Sequence, residues 1–194
     1  MNTCADSIRV MRPLFQAGEG GSIPTSALRA RHLKFYRCDS SIAVQLCRAW
    51  HSRLPNTQDG PWQFAFVAEY HGLAYGAALW NTPSGRCLPQ HWIELRRMVV
   101  SNDAPKFSAS RFLGWMVRYF KAKCPGRERC ISYQDTAAHD GTMYLAAGWS
   151  RGCISKPRVR DRSGNRKGTR RKYRWNINGA EADASAKVRW EKEL

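Results

Sequence analysis

Short runs of the chain alternate between apolar and polar residues, whereas other runs repeat apolar residues at helical spacing. The alternation over residues 33–38 predicts a strand. The apolar positions over residues 42–50 predict a helix, for which Asp39 or Ser40 is a suitable N-cap. The segments FAFVAEY and HGLAYGAALW then predict two strands, which a tight turn at residues 71–72 joins.

The second half of the chain continues this order of elements. The pattern predicts a strand over residues 92–100, a helix that opens at Ser108 and Ser110, a strand over 130–133, a short helix over 139–147 and a strand over 149–155. Two basic arms around an SGNRKG turn then predict a hairpin, whose second arm ends in a strand over residues 173–177. Residues 180–194 alternate acidic and basic side chains, and we expect them to form an exposed terminal helix.

This order indicates an α/β fold with a mixed central sheet and helices on both faces. It matches the GNAT acyltransferase fold, in which two central parallel strands splay apart and the acyl donor lies between them. We expect a catalytic domain over residues 32–179, with the basic hairpin at 156–174. An irregular N-terminal arm over residues 1–31 precedes it, and a charged tail over 180–194 follows it.

The charge of the chain indicates a polyanionic partner. The 194 residues include 32 Lys and Arg against 15 Asp and Glu, which gives a formal charge of +17. Nucleic acid is the simplest partner for this excess; an anionic membrane surface is the alternative, but no amphipathic basic helix stands out. No apolar run approaches the roughly 18 residues of a transmembrane helix, and no signal-peptide core is visible, so we expect no membrane partner.

The cysteines favour a reducing compartment. Seven are present, scattered singly and without a C-x-x-C pair. This pattern predicts free thiols in a cytoplasm rather than a zinc ribbon or a disulfide framework.

Polar residues gather in and after the strand over residues 92–100. Strict alternation would put Glu94 and Arg96 on one face of this strand and Arg97 on the other. We expect one arginine to bind a phosphate or carboxylate, with a Glu94–Arg96 ion pair as the structural alternative. The serines at 108 and 110 open the next helix, where amides and the helix dipole favour an anion, or where serine is an ordinary N-cap.

A second polar cluster follows the strand over residues 130–133. Asp135 or His139 is suited to act as a general base, and Tyr144 as an acid or a ligand. By ligand type alone, a His, Tyr and Asp set suits iron, while capping and loop hydrogen bonds are the structural alternative. His51 ends the first helix, either on a substrate-facing loop or as a surface histidine at a negative helix terminus.

Candidate DNA-binding residues concentrate in the predicted hairpin, with one more beside His51. Their density favours contact with phosphates over a solvated surface. They are Arg53, Arg158, Arg160, Arg166, Lys167, Arg170, Arg171 and Lys172.

The runs WIELRRMVVSNDAPKFSASRFLGW and SYQDTAAHDGTMYLAAGWSRG, with WHSRLP and MRPLFQAGEGGSIPTSAL, resemble the Mom DNA-modification proteins of Mu-like bacteriophages. The resemblance covers most of the chain. It implies a GNAT-like enzyme that carbamoylmethylates the exocyclic amino group of adenine in double-stranded DNA, so that phage DNA resists host restriction. It also implies roles for His51, Arg96 or Arg97, Ser110, Asp135 and Tyr144.

The resemblance carries expectations about cofactors, partners and location. The turn KFSASRFLG lacks the glycines of the acetyl-CoA motif Q/R-x-x-G-x-G/A, so a glycyl-tRNA is as reasonable a donor as an acyl-CoA. Iron is a further cofactor that the family implies. We expect a monomer or homodimer in the host cytoplasm, with double-stranded DNA, and tRNA as a donor, for partners.

Other classes of protein fit less well. An adenine methyltransferase carries an N/D-P-P-Y/F loop, which the nearest run here, NTPS, does not match. A zinc deaminase carries H-x-E and P-C-x-x-C motifs, and the sequence has neither. Two alternatives stay open: a non-catalytic basic DNA-binding module, which leaves the polar clusters unexplained, and a GNAT acetyltransferase for another substrate, which leaves the charge unexplained.

The basic hairpin generates a test by salt titration. Neutralising Arg170, Arg171 and Lys172 together removes three candidate phosphate contacts, so the slope of log affinity against log salt becomes shallower by roughly 2–3 units. Binding weakens alike for every DNA sequence, because phosphate contacts position a protein without specifying bases. Affinities of wild type and variant for one duplex over a salt series measure the slope. Equal slopes would show that these side chains are solvated surface.

Overall fold

The computed structural model describes residues 28–51, 57–85, 87–155 and 186–194. A short 3-10 turn at Ala30–His32 precedes the main elements. These are β1 (Lys34–Arg37), α1 (Ser40–Trp50), β2 (Phe64–Tyr70), β3 (Leu73–Asn81), β4 (Ile93–Val100), α2 (Ser108–Lys123), β5 (Arg129–Asp135), α3 (Thr142–Ala146), β6 (Ser150–Ser155) and β7 (Lys187–Glu193). The elements predicted between residues 33 and 155 are confirmed, with ends that shift by a few residues.

The strands of the described residues form one mixed sheet. Its order is β1-β2-β3-β4-β5-β7-β6. Each neighbouring pair is antiparallel except β4 and β5, which run parallel. A parallel pair needs a crossover connection, and α2 supplies it. The predicted mixed sheet with central parallel strands is therefore present.

Helices cover both faces of this sheet, as predicted. Val44 and Cys47 of α1 are buried against β2, β3 and β4 on one side, which we call the α1 face. Phe112 and Met116 of α2 are buried in a larger core on the other side, the α2 face, together with α3. Trp80 of β3 is fully buried in this second core. Within the described ranges, no helix is long and apolar enough to cross a membrane.

Local signals in the sequence account for the first half of the fold. Asp39 is the N-cap of α1, and its carboxylate accepts a hydrogen bond from the Ser41 amide at 2.8 Å. The turn between β2 and β3 has positive φ at His71 (48°) and at Gly72 (80°). A two-residue hairpin turn with both φ angles positive matches the twist of the strands that it joins.

The end of the chain differs from the prediction. We expected an exposed helix over residues 180–194, but residues 187–193 form β7, which lies between β5 and β6. Val188 and Trp190 are buried on the α2 face, and charged residues alternate with them. This period of two is the strand pattern. The predicted helix is therefore wrong. The prediction rested on the alternating charges, whereas the period-two spacing of Val188 and Trp190 is that of a strand.

Candidate active site at the splayed strands

The pairing between β4 and β5 is short. It runs from Ile93↔Cys130 to Leu95↔Ser132 and then stops. Beyond this row β4 continues as far as Val100 and β5 as far as Asp135. The two strands are no longer paired there, and we call the space between them the gap.

A β-bulge lies at the point where the pairing stops. The register between β3 and β4 shifts so that Arg96 is the extra residue of β4. Leu95 packs into the core on the α2 face, whereas Arg97 lies near Cys47 of α1. Glu94 and Arg97 therefore both face α1. The prediction that Arg97 lies on the face opposite Glu94 is therefore wrong. The extra residue in the bulge shifts the alternation of side chains along β4 by one position.

Arg96 and Glu94 form the ion pair that was the structural alternative. The Arg96 Nε lies 3.3 Å from a Glu94 carboxylate oxygen, and the Glu94 side chain is only 8% exposed. The other carboxylate oxygen accepts a hydrogen bond from the Ser84 amide at 2.9 Å. Arg96 also donates to the Thr82 carbonyl at 2.8 Å. The pair thus fastens the loop after β3 onto β4.

Arg97 has a different environment. Burial lowers the pKa of its guanidinium, and the thiol of Cys47 beside it is uncharged because burial raises the pKa of that thiol to about 12. One Nη of Arg97 donates to the Arg96 carbonyl at 2.7 Å. Its Nε is buried and has no hydrogen-bond partner among the described residues. The Arg96 Nε is likewise buried and makes no hydrogen bond within the described ranges, but it lies beside the Glu94 carboxylate. Arg97 forms no ion pair with a described residue, so it is the better suited of the two to receive an anion.

Tyr144 lies on the α2 face, at the base of the gap. It is 3% exposed and stacks on Trp190, with ring centroids 5.2 Å apart. Its hydroxyl is hydrogen-bonded to the Ser132 hydroxyl at 2.8 Å, and Ser132 belongs to the last paired row. Burial raises the pKa of Tyr144 to about 12, so the phenol is protonated at neutral pH. Tyr144 is thus a fixed proton donor beside the gap.

A close approach of the backbone holds α3 in this position. Gly141 precedes α3 with φ of 81°, which favours glycine. A Cβ at this position would lie 2.6 Å from the Gln134 amide oxygen and 2.7 Å from the Trp190 ring. Gln134 in turn accepts a hydrogen bond from the Trp190 indole at 2.7 Å and donates to the His139 carbonyl at 2.6 Å.

Asp135 and His139 lie at the far end of β5. Asp135 lies on the α1 face of the sheet, because the side chain of its neighbour Gln134 points to the α2 face, where it bonds to Trp190. The His139 amide donates to the Asp135 carbonyl at 3.3 Å. Burial lowers the pKa of the His139 imidazole, and the carboxylates of Asp140 and Asp135 offset this in part. The Asp140 carboxylate accepts a hydrogen bond from the Thr142 amide at 3.0 Å and so supports the start of α3.

His51 is the C-cap of α1, and its amide donates to the Cys47 carbonyl at 2.9 Å. The last turn of α1 lies near Arg97, which belongs to the part of β4 beyond the paired row. His51 is therefore on the same face of the sheet as Asp135. Tyr144 is on the opposite face, so the gap separates the predicted catalytic residues into two groups.

The serines that open α2 are occupied by local hydrogen bonds. Phe107, with φ of 71°, is the N-cap, so neither serine caps the helix. The buried Ser108 hydroxyl donates to the Pro105 carbonyl at 2.5 Å, and the Ser110 hydroxyl donates to the Phe107 carbonyl at 3.1 Å. Their predicted role in donor binding stays a prediction.

A basic cleft lies along the exposed side of α2. It has a volume of about 470 Å³ and is lined by α2, the 3-10 turn and the end of α3. Its charged lining residues are Arg31, Arg111 and Arg118, and Ser110 also lines it. Positions 107, 111, 114 and 118 line the cleft from one face of α2, and this spacing is the signal in the sequence from which the cleft could have been predicted.

The predicted DNA-binding residues lie outside the described ranges: Arg53, Arg158, Arg160, Arg166, Lys167, Arg170, Arg171 and Lys172. The two residues that flank the basic segment are described. Ser155 of β6 pairs with Lys187 of β7, and Lys187 also pairs with Asp135. Ser155 and Lys187, on either side of residues 156–185, therefore lie in the same cross-strand row as Asp135.

The described residues do not form an iron site. In these ranges, no three His, Cys, Asp or Glu side chains come together as metal ligands. Tyr144 is on the other face from Asp135, and its protonated hydroxyl bonds to Ser132.

Solved structures that resemble this chain have the GNAT acetyltransferase fold. A ribosomal-protein-alanine N-acetyltransferase from Brucella melitensis is 12% identical with a TM-score of 0.55, over 83% of this chain and 99% of that one. A GNAT-family acetyltransferase from Streptococcus pneumoniae is 11% identical with a TM-score of 0.53, over 84% and 99%. An N-acetyltransferase from Staphylococcus aureus Mu50 is 16% identical with a TM-score of 0.52, over 83% and 98%. This protein therefore has a GNAT-like fold, as predicted.

The sequence profile of the Mom protein family matches residues 32–192. The chain therefore belongs to the Mom protein family, and the resemblance noted in the sequence is confirmed. A comparison with curated protein sequences finds no significant match.

The Ser132–Tyr144 hydrogen bond generates a stability test. Ser132→Ala leaves a buried phenol without its partner, which costs about 1–3 kcal/mol of unfolding free energy. The double variant Ser132→Ala with Tyr144→Phe removes both hydroxyls, so it loses less than the sum of the single variants. Urea unfolding of the four proteins measures these differences. Strict additivity would show that the two hydroxyls do not interact.

The imidazole of His139 generates a titration test. Its pKa lies below the usual value of 6.5, because burial disfavours the charged ring. Asp135→Asn removes a carboxylate that stabilises the imidazolium, so the pKa falls further. NMR titration of the ring protons in both proteins measures the two values. A higher pKa in the variant would contradict this electrostatic coupling.

Proposed function

We propose that this protein transfers a glycine-like (carbamoylmethyl) group to the exocyclic amino group of adenine in double-stranded DNA and so protects phage DNA from host restriction. Membership of the Mom family and the GNAT-like fold support this proposal. The observation that carries it is the gap between β4 and β5, which has candidate base residues on one face and a protonated tyrosine on the other.

The acceptor side of the gap supplies the base. The amino group of adenine is a weak nucleophile, because its lone pair is delocalised into the ring. A base must therefore take a proton from this nitrogen as its bond to the donor's carbonyl carbon forms and the bond from that carbon to the donor's sulfur or ester oxygen breaks. From a glycyl donor this step gives a glycyl amide, which has the same atoms as the carbamoylmethyl group, and the carbamoylmethyl form then requires an isomerisation that moves the attachment to the methylene carbon. Asp135 and His139 are the candidates, and the lowered pKa of His139 leaves its imidazole neutral and able to accept a proton at pH 7. His51 lies on the same face.

The opposite side of the gap suits the donor. GNAT-like proteins hold an acyl donor between the splayed strands, and the leaving group needs a proton once its bond breaks. Tyr144 is protonated at neutral pH and lies at the base of the gap. The α2 cleft with Arg31 and Arg111 offers guanidinium groups to the donor's phosphates, whereas Arg97 lies on the α1 face and would meet an anion there. Both an acyl-CoA and a glycyl-tRNA carry such phosphates.

The basic segment suits the DNA duplex. Residues 156–174 include ten Lys and Arg with Asp161 as the single acid, and the chain as a whole carries +17. Because Ser155 and Lys187 flank this segment in the row of Asp135, phosphate contacts made there would hold DNA beside the candidate base. Under this proposal the protein acts in the host cytoplasm, as a monomer or homodimer.

Mass spectrometry of nucleosides tests the proposal directly. We expect plasmid DNA from bacteria that express the protein to contain deoxyadenosine of increased mass and to resist some restriction enzymes. Asp135→Asn should abolish the modification while DNA affinity stays close to that of wild type, because a carboxylate does not attract phosphate. Lys34→Ala changes an exposed side chain of β1, which β2 and β3 separate from β4, and serves as a control that keeps activity.

Two outcomes would count against the proposal. Unmodified deoxyadenosine in cells that contain soluble wild-type protein would favour a non-catalytic DNA-binding module. Modified DNA from the Asp135→Asn variant at the wild-type level would remove Asp135 from the mechanism and leave His139 as the candidate base.

A further inference from the structure

Half of the α1 face carries no helix in the described part of the chain. α1 packs on β2, β3 and β4. On the same face, β5, β7 and β6 present their side chains outward, and every residue of β6 is exposed. The open half of this face begins at the gap and includes the end of β5.

Among the described residues of β5, β6 and β7, Tyr133 is the exposed aromatic side chain on this open face. It is 37% exposed, and it precedes Asp135 by two positions on β5. Side chains two positions apart on a strand point the same way, about 7 Å from each other. Tyr133 and Asp135 therefore stand next to each other on one surface.

The neighbouring strand orients the Tyr133 ring. Arg189 of β7 is its cross-strand partner, and the guanidinium interacts with the phenol hydroxyl. Arg189 is itself held by the Glu191 carboxylate at 2.7 Å. The ring thus has a fixed position and keeps one part open to solvent.

Other aromatic residues near the gap do not offer an accessible ring. Trp80 is 0% exposed and Tyr144 is 3% exposed, and both lie on the α2 face. Trp92 is covered by two guanidinium groups, with Arg129 at 4.7 Å and Arg189 at 5.8 Å from its ring centroid. Among the described aromatic residues, Tyr133 has an exposed ring and lies two positions from Asp135 on the same strand, so it is suited to hold a base that reaches Asp135 from the α1 face.

We infer that Tyr133 is the stacking platform for the adenine that is turned out of the duplex, and that stacking on this ring presents the adenine amino group to Asp135. This inference rests on the proposed function. An enzyme that modifies a base must take it out of the helix and hold it, commonly by stacking against an aromatic side chain. Every base has a π face, so stacking alone does not depend on the neighbouring sequence.

The charge around this surface fits the same ligand. Tyr133 is a neutral phenol at pH 7, because burial raises its pKa, so it does not repel phosphate. Lys187 pairs with Asp135 in the adjacent strand, and the basic segment of residues 156–174 begins one residue after β6. Phosphates on both sides of an extruded base would meet cations, while the base meets an aromatic ring.

Binding to a duplex with a prepared extrahelical base tests the inference. In this duplex one adenine lies opposite an abasic site, so turning this adenine out of the helix costs little free energy. The flanking bases are randomised, so the test does not depend on a particular target sequence. We expect wild type to bind it more tightly than the fully paired duplex. Tyr133→Ala and Tyr133→Leu should lose about 5- to 150-fold in affinity for it, since both lack a π face.

The controls separate stacking from other effects. Tyr133→Phe keeps the ring and should bind like wild type. Ile154 is exposed on the α2 face of the sheet, opposite to Tyr133, because it pairs with Val188. The Ile154→Ala variant should therefore also bind like wild type. Thermal unfolding temperatures should be equal for all variants, because Tyr133 is exposed.

The outcomes distinguish this inference from the proposed function. If wild type modifies deoxyadenosine and the Tyr133→Ala and Tyr133→Leu variants bind and modify DNA as wild type does, the role of Tyr133 is wrong and the proposed function stands. If Tyr133→Phe loses as much as Tyr133→Ala, the hydroxyl rather than the ring matters, and stacking is wrong. If wild type modifies no deoxyadenosine, the proposed function fails and this inference fails with it.

Discussion

The short parallel pairing between β4 and β5 is the constraint on which the rest of the site depends. Only the rows from Ile93↔Cys130 to Leu95↔Ser132 are hydrogen-bonded, and the bulge at Arg96 follows at once. A bulge bends its strand and increases the local twist, so β4 leaves β5 at this point. The sheet therefore opens without losing its outer pairs, and the proposed function uses the gap that results.

The two faces of the gap provide different environments. On the α2 face, Tyr144 is packed against Trp190 in the large core, and burial keeps its proton in place. On the α1 face, the covering helix ends before β5, so Asp135 and Tyr133 have access to solvent. Under the proposed function, the protonated Tyr144 would serve as the acid on one face and Asp135 or His139 as the base on the other. Long-range pairing also places Ser155 and Lys187, the described residues on either side of the basic segment, in the same row as Asp135.

Much of the fold could be predicted because its signals are local. The N-cap at Asp39, the turn at His71 and Gly72, and the helical spacing of α2 each involve residues close in sequence. β7 was missed although Val188 and Trp190 repeat with a period of two. A strand of alternating charge and two apolar residues is stable only when other strands flank it on both sides, and those partners are distant in sequence.

The sequence by itself determined the α/β class, the order of elements to residue 155, the excess of positive charge and the residue types of the candidate site. Tertiary structure decided which of those residues contact each other and on which face of the sheet each one lies. It paired Arg96 with Glu94 and left the Nε of Arg97 without a partner among the described residues. It also put Tyr144 and Asp135 on opposite faces. The physical reason is that alternation along a strand is a local rule, whereas bulges, cross-strand register and helix cover arise from contacts between distant segments.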